Sequence, residues 1–329
     1  MSIEGEYRAL REGCGVVDRS WAGRLEMLGA DRQRFLNAYV TCDVKSLAPG
    51  AGAYGFLTSA QGRILSDLVV LAHEDRLWLE VPPGQEGPVA EHLRKYVIVD
   101  RVEIRPLADM LPITLAGPRA EEVLGISGPL PESPWHHTRM MVCGTEVALQ
   151  RGGRSGRSDR TGAPSFTLWV SASIAPHLTE RLVEAGAAPV SLDALEVLRT
   201  EAGIPRFGLD FGPDNFPQET GIEEAVSYTK GCYLGQEVVA RIHYRGGVQK
   251  ELRSLLFDGD APPPPGRRLL QEGREAGTVG TAVRSIALGR PVGLSILHKR
   301  AAAPGTKLEV EGGETAEVLA SPVLGPATR

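Results

Sequence analysis

Apolar and polar positions change period several times along the chain, and each change marks an element. Leu25 and Met27 alternate with Arg24 and Glu26, the period of a strand with one buried face. Past Gly29 the spacing shifts, so that within 31–40 Phe35, Leu36, Tyr39 and Val40 share one helical face. The same order of strand, glycine and helix returns at 113–124, where ITLA is followed by Gly117, by Pro118 at a first helical position and by Gly125 past the end. GADRQRFLN and GPRAEEVLG match loosely, which leaves an internal duplication and a chance recurrence of a common turn both open. Between these units DLVVLA and RLWLEV bracket HED as a hairpin, and behind Pro88 the residues Val89, Leu93, Tyr96 and Val97 fall at helical spacing. Strand, strand, helix, strand is the order of a split βαβ layer, with helices on one side of a mostly antiparallel sheet. No G-x-G-x-x-G follows a strand, so a dinucleotide cradle is not indicated.

Further along, 166–170 reads as a strand, and a helix from Pro176 stops near Gly186. Ser191 is a good N-cap for another helix, which aligns Leu192, Leu195 and Leu198 until Gly203 and Pro205 end it. The run 203–221 is too rich in Gly and Pro for regular structure and is expected to be a loop that can line a pocket. The four prolines of GDAPPPPG, 259–266, predict a stiff linker with a separate small unit after it, and the chain is divided into a body spanning 1–250 and a C-terminal part spanning 251–329 that contains this linker. In that unit 278–286, 291–297, 307–310 and 316–319 predict the strands of a compact β-barrel.

Composition narrows the class. A chain of 329 residues with 42% hydrophobic and 23% charged positions is globular and exceeds the usual size of one core. A net charge of -5, mixed along the chain, points to neither DNA nor a membrane surface. No apolar stretch follows a basic start and no run of about 18 apolar residues occurs, so a cytoplasmic protein is expected. Cys14, Cys42, Cys143 and Cys232 form no C-x-x-C pair, which argues for reduced thiols over a disulfide framework or a four-ligand zinc site. The arginine- and glycine-rich segment 151–162, RGGRSGRSDRTG, is expected to be an exposed mobile connection, with a phosphate contact as the sharper alternative.

KGCYLGQE, 230–237, carries the most unusual chemistry. Cys232 lies just before the predicted helix QEVVARIHY, where exposed amides and the helix dipole favour an anion, and Lys230, Arg241, His243 and Arg245 add positive charge. The bland alternative is a small buried filler, the usual fate of a free cysteine. Gly231 and Gly235 favour exposure, yet no partner base is identifiable, so both readings stay open on the residues alone. Glu201, at the end of its helix, reads as a solvated helix terminus, and Asp67 as a strand-end acid.

EAGIPRFGLD (201–210), FPQETGIE (216–223) and KGCYLGQEVVAR (230–241) resemble the YgfZ-like folate-binding proteins, relatives of the glycine-cleavage T-protein, an aminomethyltransferase. GVVDRSWAGRLEMLGADRQRFLN, YGFLTSAQGRILSDLVV and the tail GTVGTAVRSIALGRPVGLSIL fit the same superfamily. The resemblance implies an α+β fold of interleaved ferredoxin-like and Greek-key β modules around a central folate cavity, plus a C-terminal β-barrel. It implies tetrahydrofolate as the cofactor, Glu201 as the pterin contact, Asp67 and Lys230 as further folate-binding residues, and Cys232 as the functional thiol. T-proteins carry G-G-[IV]-x-D-D where this chain has Gly62-Arg63-Ile64-Leu65-Ser66-Asp67, so the aminomethyl-transfer machinery is expected to be incomplete. The leading expectation is a tetrahydrofolate-binding accessory protein of iron-sulfur cluster assembly or repair, supporting tRNA-modifying radical enzymes, with assembly proteins or client enzymes as partners. A folate-dependent aminomethyltransferase or demethylase acting on a small amine is the alternative, and whether the chain is an enzyme stays open.

Overall fold

The chain enters one sheet, leaves it to build a second, and then returns to the first. A computed structural model describes residues 1–126, 128–152, 161–320 and 322–324, so most of RGGRSGRSDRTG lies outside the described residues. The strand Gly15–Asp18 pairs antiparallel with Met110–Ala116 in a six-stranded sheet, and the chain between them forms a five-stranded antiparallel sheet. In that second sheet the spatial order is Gly52–Thr58, Ile64–Ala72, Arg76–Val81, Gly23–Leu28, Glu103–Pro106. The two modules are therefore interleaved in sequence, as expected.

Side-chain parity decides which layer each residue joins. On the outer face of the five-stranded sheet Leu25, Met27, Leu57, Leu68 and Val70 pack under the helices Arg32–Asn37 and Glu86–Arg94. On the outer face of the six-stranded sheet Ile113, Leu115, Phe166 and Leu168 pack under Ala120–Leu124 and Ala175–Glu184. The inner faces meet through Tyr54, Phe56, Val69, Leu71 and Trp78 from one sheet and Ala148 and Trp169 from the other. Because successive strand residues point to opposite faces, Ser66 shares the outer parity of Leu68 and Val70, whereas Asp67 shares the inner parity of Val69 and Leu71.

The two strand-glycine-helix units use one device. Gly29 and Gly117 both have positive φ, 103° and 130°, and a side chain on either would collide with a backbone carbonyl, of Arg101 and of Gly13 respectively. The amides of Asp31 and Arg119 donate to those same two carbonyls.

The C-terminal part differs from expectation. Among the described residues its sheet has seven strands, not four: Lys250–Phe257 joins it from before the prolines, and Arg268–Gln271 and Arg274–Thr278 are too short to show alternation. The four prolines do not divide two units: they join Lys250–Phe257 to Arg268–Gln271, both inside this one curled sheet. No helix among the described residues is long and apolar enough to cross a membrane.

At the joint between the two N-terminal sheets, His73 packs against Trp78 and His137, with ring centroids 4.1 and 4.5 Å apart, and the amide of His137 donates to the Gly50 carbonyl at 2.8 Å. Burial pushes His73 down to about 4, with Arg139 and Arg76 assisting and Asp75 opposing. Burial, with His73 and His136, pushes His137 down to about 3. Unfolded histidines titrate near about 6.5, so between there and about pH 4 the unfolded chain binds protons that the folded chain refuses. Stability is therefore full above pH 6.5 and falls as pH drops, by up to about 1.4 kcal/mol per pH unit for each histidine. Urea midpoints between pH 7 and 5 should fall more steeply for the parent than for a His137→Phe variant; equal slopes would show that the pair is not the source.

Candidate functional site

A cavity of about 340 Å³ opens between the inner face of the five-stranded sheet and the helix Leu192–Glu201. Pockets for small organic ligands start at about this size. From the sheet side come Tyr54 and Asp67, which face inward by parity and lie diagonally across the hairpin 52–72, so that the Tyr54 hydroxyl donates to Asp67 Oδ2 at 2.7 Å. Arg19 and Trp21 add a guanidinium and an indole; Arg19 is paired with buried Glu80 and lies 5.7 Å from the Trp21 ring. Pro82, Pro83, Leu192, Leu195, Ile204 and Phe207 supply apolar wall.

The helix contributes Glu196, and its placement follows from local sequence. Ser191 caps the helix by accepting from the Ala194 amide at 3.3 Å. One turn on, Arg199 reaches back to Glu196 with Nε at 3.1 Å from Oε1 and Nη2 at 2.6 Å from Oε2, a bidentate grip, and Arg206 adds a third contact at 2.8 Å. Arg199 is itself 3% exposed and donates to Asp210 at 3.0 Å and to the Thr281 hydroxyl at 2.6 Å. Asp210 in turn accepts from the Thr281 amide at 2.7 Å. The carboxylate on the cavity wall is thus fixed through a buried network that reaches the C-terminal sheet.

Of the residues singled out in the sequence, Asp67 lines this cavity and the other three do not. Glu201 is 1% exposed, and its two oxygens accept from the Tyr7 hydroxyl at 2.5 Å and the Ser285 hydroxyl at 2.6 Å. It ties the N-terminal helix and the C-terminal sheet to the end of its own helix, and burial followed by this hydrogen bond holds the Tyr7 phenol far above its usual range. It is therefore not a solvated helix terminus. Lys230 is not on this cavity either: its buried Nζ donates to the carbonyls of Asn37, Val40 and Cys42 at 2.7, 2.7 and 2.6 Å, using all three N–H groups. Burial lowers its pKa to about 8, against the opposing pull of Cys42 and Asp43.

Cys232 is exposed, so it is no core filler. It sits on a separate concavity of about 530 Å³ with Arg34, Asp43, Lys45 and Ser46. The segment around it is pinned to the first module: the Leu234 amide donates to the Ala38 carbonyl at 2.9 Å and the Thr58 hydroxyl to the Leu234 carbonyl at 2.7 Å. Gly235, with φ 84°, lies where a side chain would strike the Ser59 carbonyl. Lys230 and Gly235 therefore anchor this loop, and the ammonium expected to activate the thiol is committed to carbonyls.

Tyr54, Arg199, Arg19 and Glu196 were not legible as site residues. The i, i+3 pairing of Glu196 with Arg199 was a usable signal, as was the hairpin register that sets Tyr54 beside Asp67.

Residues 1–230 match the family profile described as the GCVT N-terminal domain, and residues 250–327 that of the glycine cleavage T-protein C-terminal barrel domain. The chain is 29% identical over 326 residues to an aminomethyltransferase of Rubrobacter xylanophilus, covering 98% of this chain and 83% of that one. It is 27% identical over 318 residues to an aminomethyltransferase of Bacillus subtilis, covering 94% and 86%. Its fold superposes on the crystal structure of glycine cleavage system aminomethyltransferase T from Bartonella henselae with a TM-score of 0.86, at 22% identity, over 99% of this chain and 90% of that one.

Replacing Lys230 by Met keeps the apolar stem and strands three buried carbonyls. Unsatisfied buried groups cost about 1–3 kcal/mol each, and relaxation and water recover part of that, so a loss of about 2–4 kcal/mol is expected from denaturant titration. An unchanged midpoint would show that those carbonyls do not need the ammonium.

Proposed function

The chain belongs to the glycine cleavage T-protein family, and from that premise we propose that it binds a reduced folate in the cavity between Asp67 and Glu196 and carries out folate-dependent one-carbon transfer of the aminomethyltransferase type. The observation that carries this reading is the parity of Asp67. Of the acidic pair that T-proteins carry, the position replaced by Ser66 lies on the outer, helix-covered face, and the position kept as Asp67 is on the cavity wall. The loss of one acid leaves the cavity's own carboxylate in place.

The donor set fits tetrahydrofolate. A pterin presents an amino group and a ring N–H as donors; Glu196, with Oε1 taken by Arg199 and Arg206 and one position of Oε2 taken by Arg199, keeps one acceptor position on Oε2 for one of them. Apolar wall residues suit the aromatic part of the ligand, and half-exposed Arg206 suits an anionic tail. Tetrahydrofolate, when bound, supplies the amines that receive the one-carbon unit. Asp67, oriented by the Tyr54 hydroxyl, is placed to hold a proton lost at such an amine.

A second reading, the YgfZ-like accessory role in iron-sulfur maintenance, draws support from the KGCYLGQE segment and the exposure of Cys232. It is weakened by the orientation of Lys230, which removes the expected activating cation, and the named relatives favour the transferase.

Calorimetry with tetrahydrofolate should give binding that Asp67→Asn and Glu196→Gln each weaken at least about tenfold, about 1.4 kcal/mol, while Glu201→Gln changes affinity less than about threefold. With an aminomethyl-loaded lipoyl carrier, the full chain should release ammonia only when tetrahydrofolate is present, and Cys232→Ser should not slow it. Folate binding without ammonia release, in a chain whose Cys232 is needed by iron-sulfur enzymes, would favour the accessory role.

A further inference from the structure

We propose that Trp135 is a positioning residue for Asp67 and acts through Tyr54, so that the second module tunes the acid on the wall of the first. Trp135 belongs to the segment PESPWHH, which leads from Ala120–Leu124 into the strand His137–Val142 of the six-stranded sheet and touches the five-stranded module at Gly50 and Gly52. It has φ 65°, a backbone state that bulky side chains seldom adopt and that persists only where the surroundings impose it. Those surroundings are specific. The Trp135 amide donates to the Arg151 carbonyl at 3.0 Å, the Arg151 amide returns to the His136 carbonyl at 2.9 Å, and the next amide, His137, donates to Gly50 at 2.8 Å across the joint. Gly52 has no space for a side chain because the Trp135 carbonyl lies against it.

What this strained turn delivers is a ring against Tyr54. The indole of Trp135, 8% exposed, stacks on the Tyr54 phenol with centroids 5.8 Å apart and planes 23° apart, while Phe56 meets the same phenol edge-on at 5.8 Å. The Tyr54 ring is thereby confined in the orientation that points its hydroxyl at Asp67. Trp135 is not among the cavity-lining residues, and the group it stacks on, the Tyr54 phenol, is one of them.

The inference rests on the proposed reading that Asp67 serves a folate, and a double-mutant cycle on the full chain, with tetrahydrofolate as the probe, keeps the two apart. Trp135→Leu should weaken binding about fivefold to tenfold, the range of a lost aromatic pair, and Trp135→Phe should stay within about threefold of the parent because a ring remains. Tyr54→Phe should weaken binding about tenfold, and the Trp135→Leu, Tyr54→Phe double variant little more than the worse single one, because both act on one hydroxyl. Losses that multiply, or a Trp135→Leu variant that binds as the parent does, would overturn the inference and leave the proposed function standing. A parent chain that binds no tetrahydrofolate would overturn the proposed function, and the inference with it. Should Trp135→Leu not fold, Trp135→Met, which also lacks a ring, takes its place in the cycle with the same expected and overturning results.

Discussion

The buried guanidinium of Arg199 is the constraint on which the candidate site most depends. It is 3% exposed and joins three separate parts of the chain: Glu196 one turn back, Asp210 in the following loop, and Thr281 in the C-terminal sheet. Burial works against its charge, and Asp210 and Glu196 outweigh burial, so its pKa is raised. Breaking one side of a buried, hydrogen-bonded ion pair typically costs about 3–5 kcal/mol, which makes the network an all-or-nothing arrangement. The cavity wall is therefore not a feature of the N-terminal body alone. Asp210 reaches Thr281 because Gly280 leaves room beside it, and the C-terminal sheet completes the support of Glu196.

A second constraint is parity in the strand Ile64–Ala72. The same alternation that sends Leu68 and Val70 under the outer helices sends Asp67 to the cavity, so one residue of register decides both the core and the site. The interleaved chain path then brings the second sheet onto that inner face, with Trp135 and Trp169 closing over it. Cys232 stands apart, on a concavity anchored by Lys230 to the loop 37–42. The molecule presents two distinct chemical faces, and the conspicuous cysteine motif does not open into the cavity that holds the acids.

Local features were legible in the sequence, and long-range ones were not. The Ser191 cap, the turns at Gly29 and Gly117, and the hairpin around HED each depend on neighbours a few residues away, and each is found where its pattern places it. The burial of Glu201 is not legible because its partners, Tyr7 and Ser285, lie 194 and 84 residues distant. The commitment of Lys230 is hidden for the same reason, its carbonyls lying 188 to 193 residues upstream. Charge near a thiol suggests activation only if the charge is free to face it, and sequence does not record where an ammonium is turned. The weight of Asp67 depends on which face of the strand it and Ser66 occupy, and a motif comparison alone does not carry that face.

The most direct measurement is a crystal structure of the chain grown with a stable reduced folate. The account predicts the pterin inside the cavity between the five-stranded sheet and the helix Leu192–Glu201, with one of its N–H donors on Glu196 and a ring amine within hydrogen-bond reach of Asp67. A pterin seated instead on the concavity beside Cys232, with Asp67 and Glu196 untouched, would contradict it.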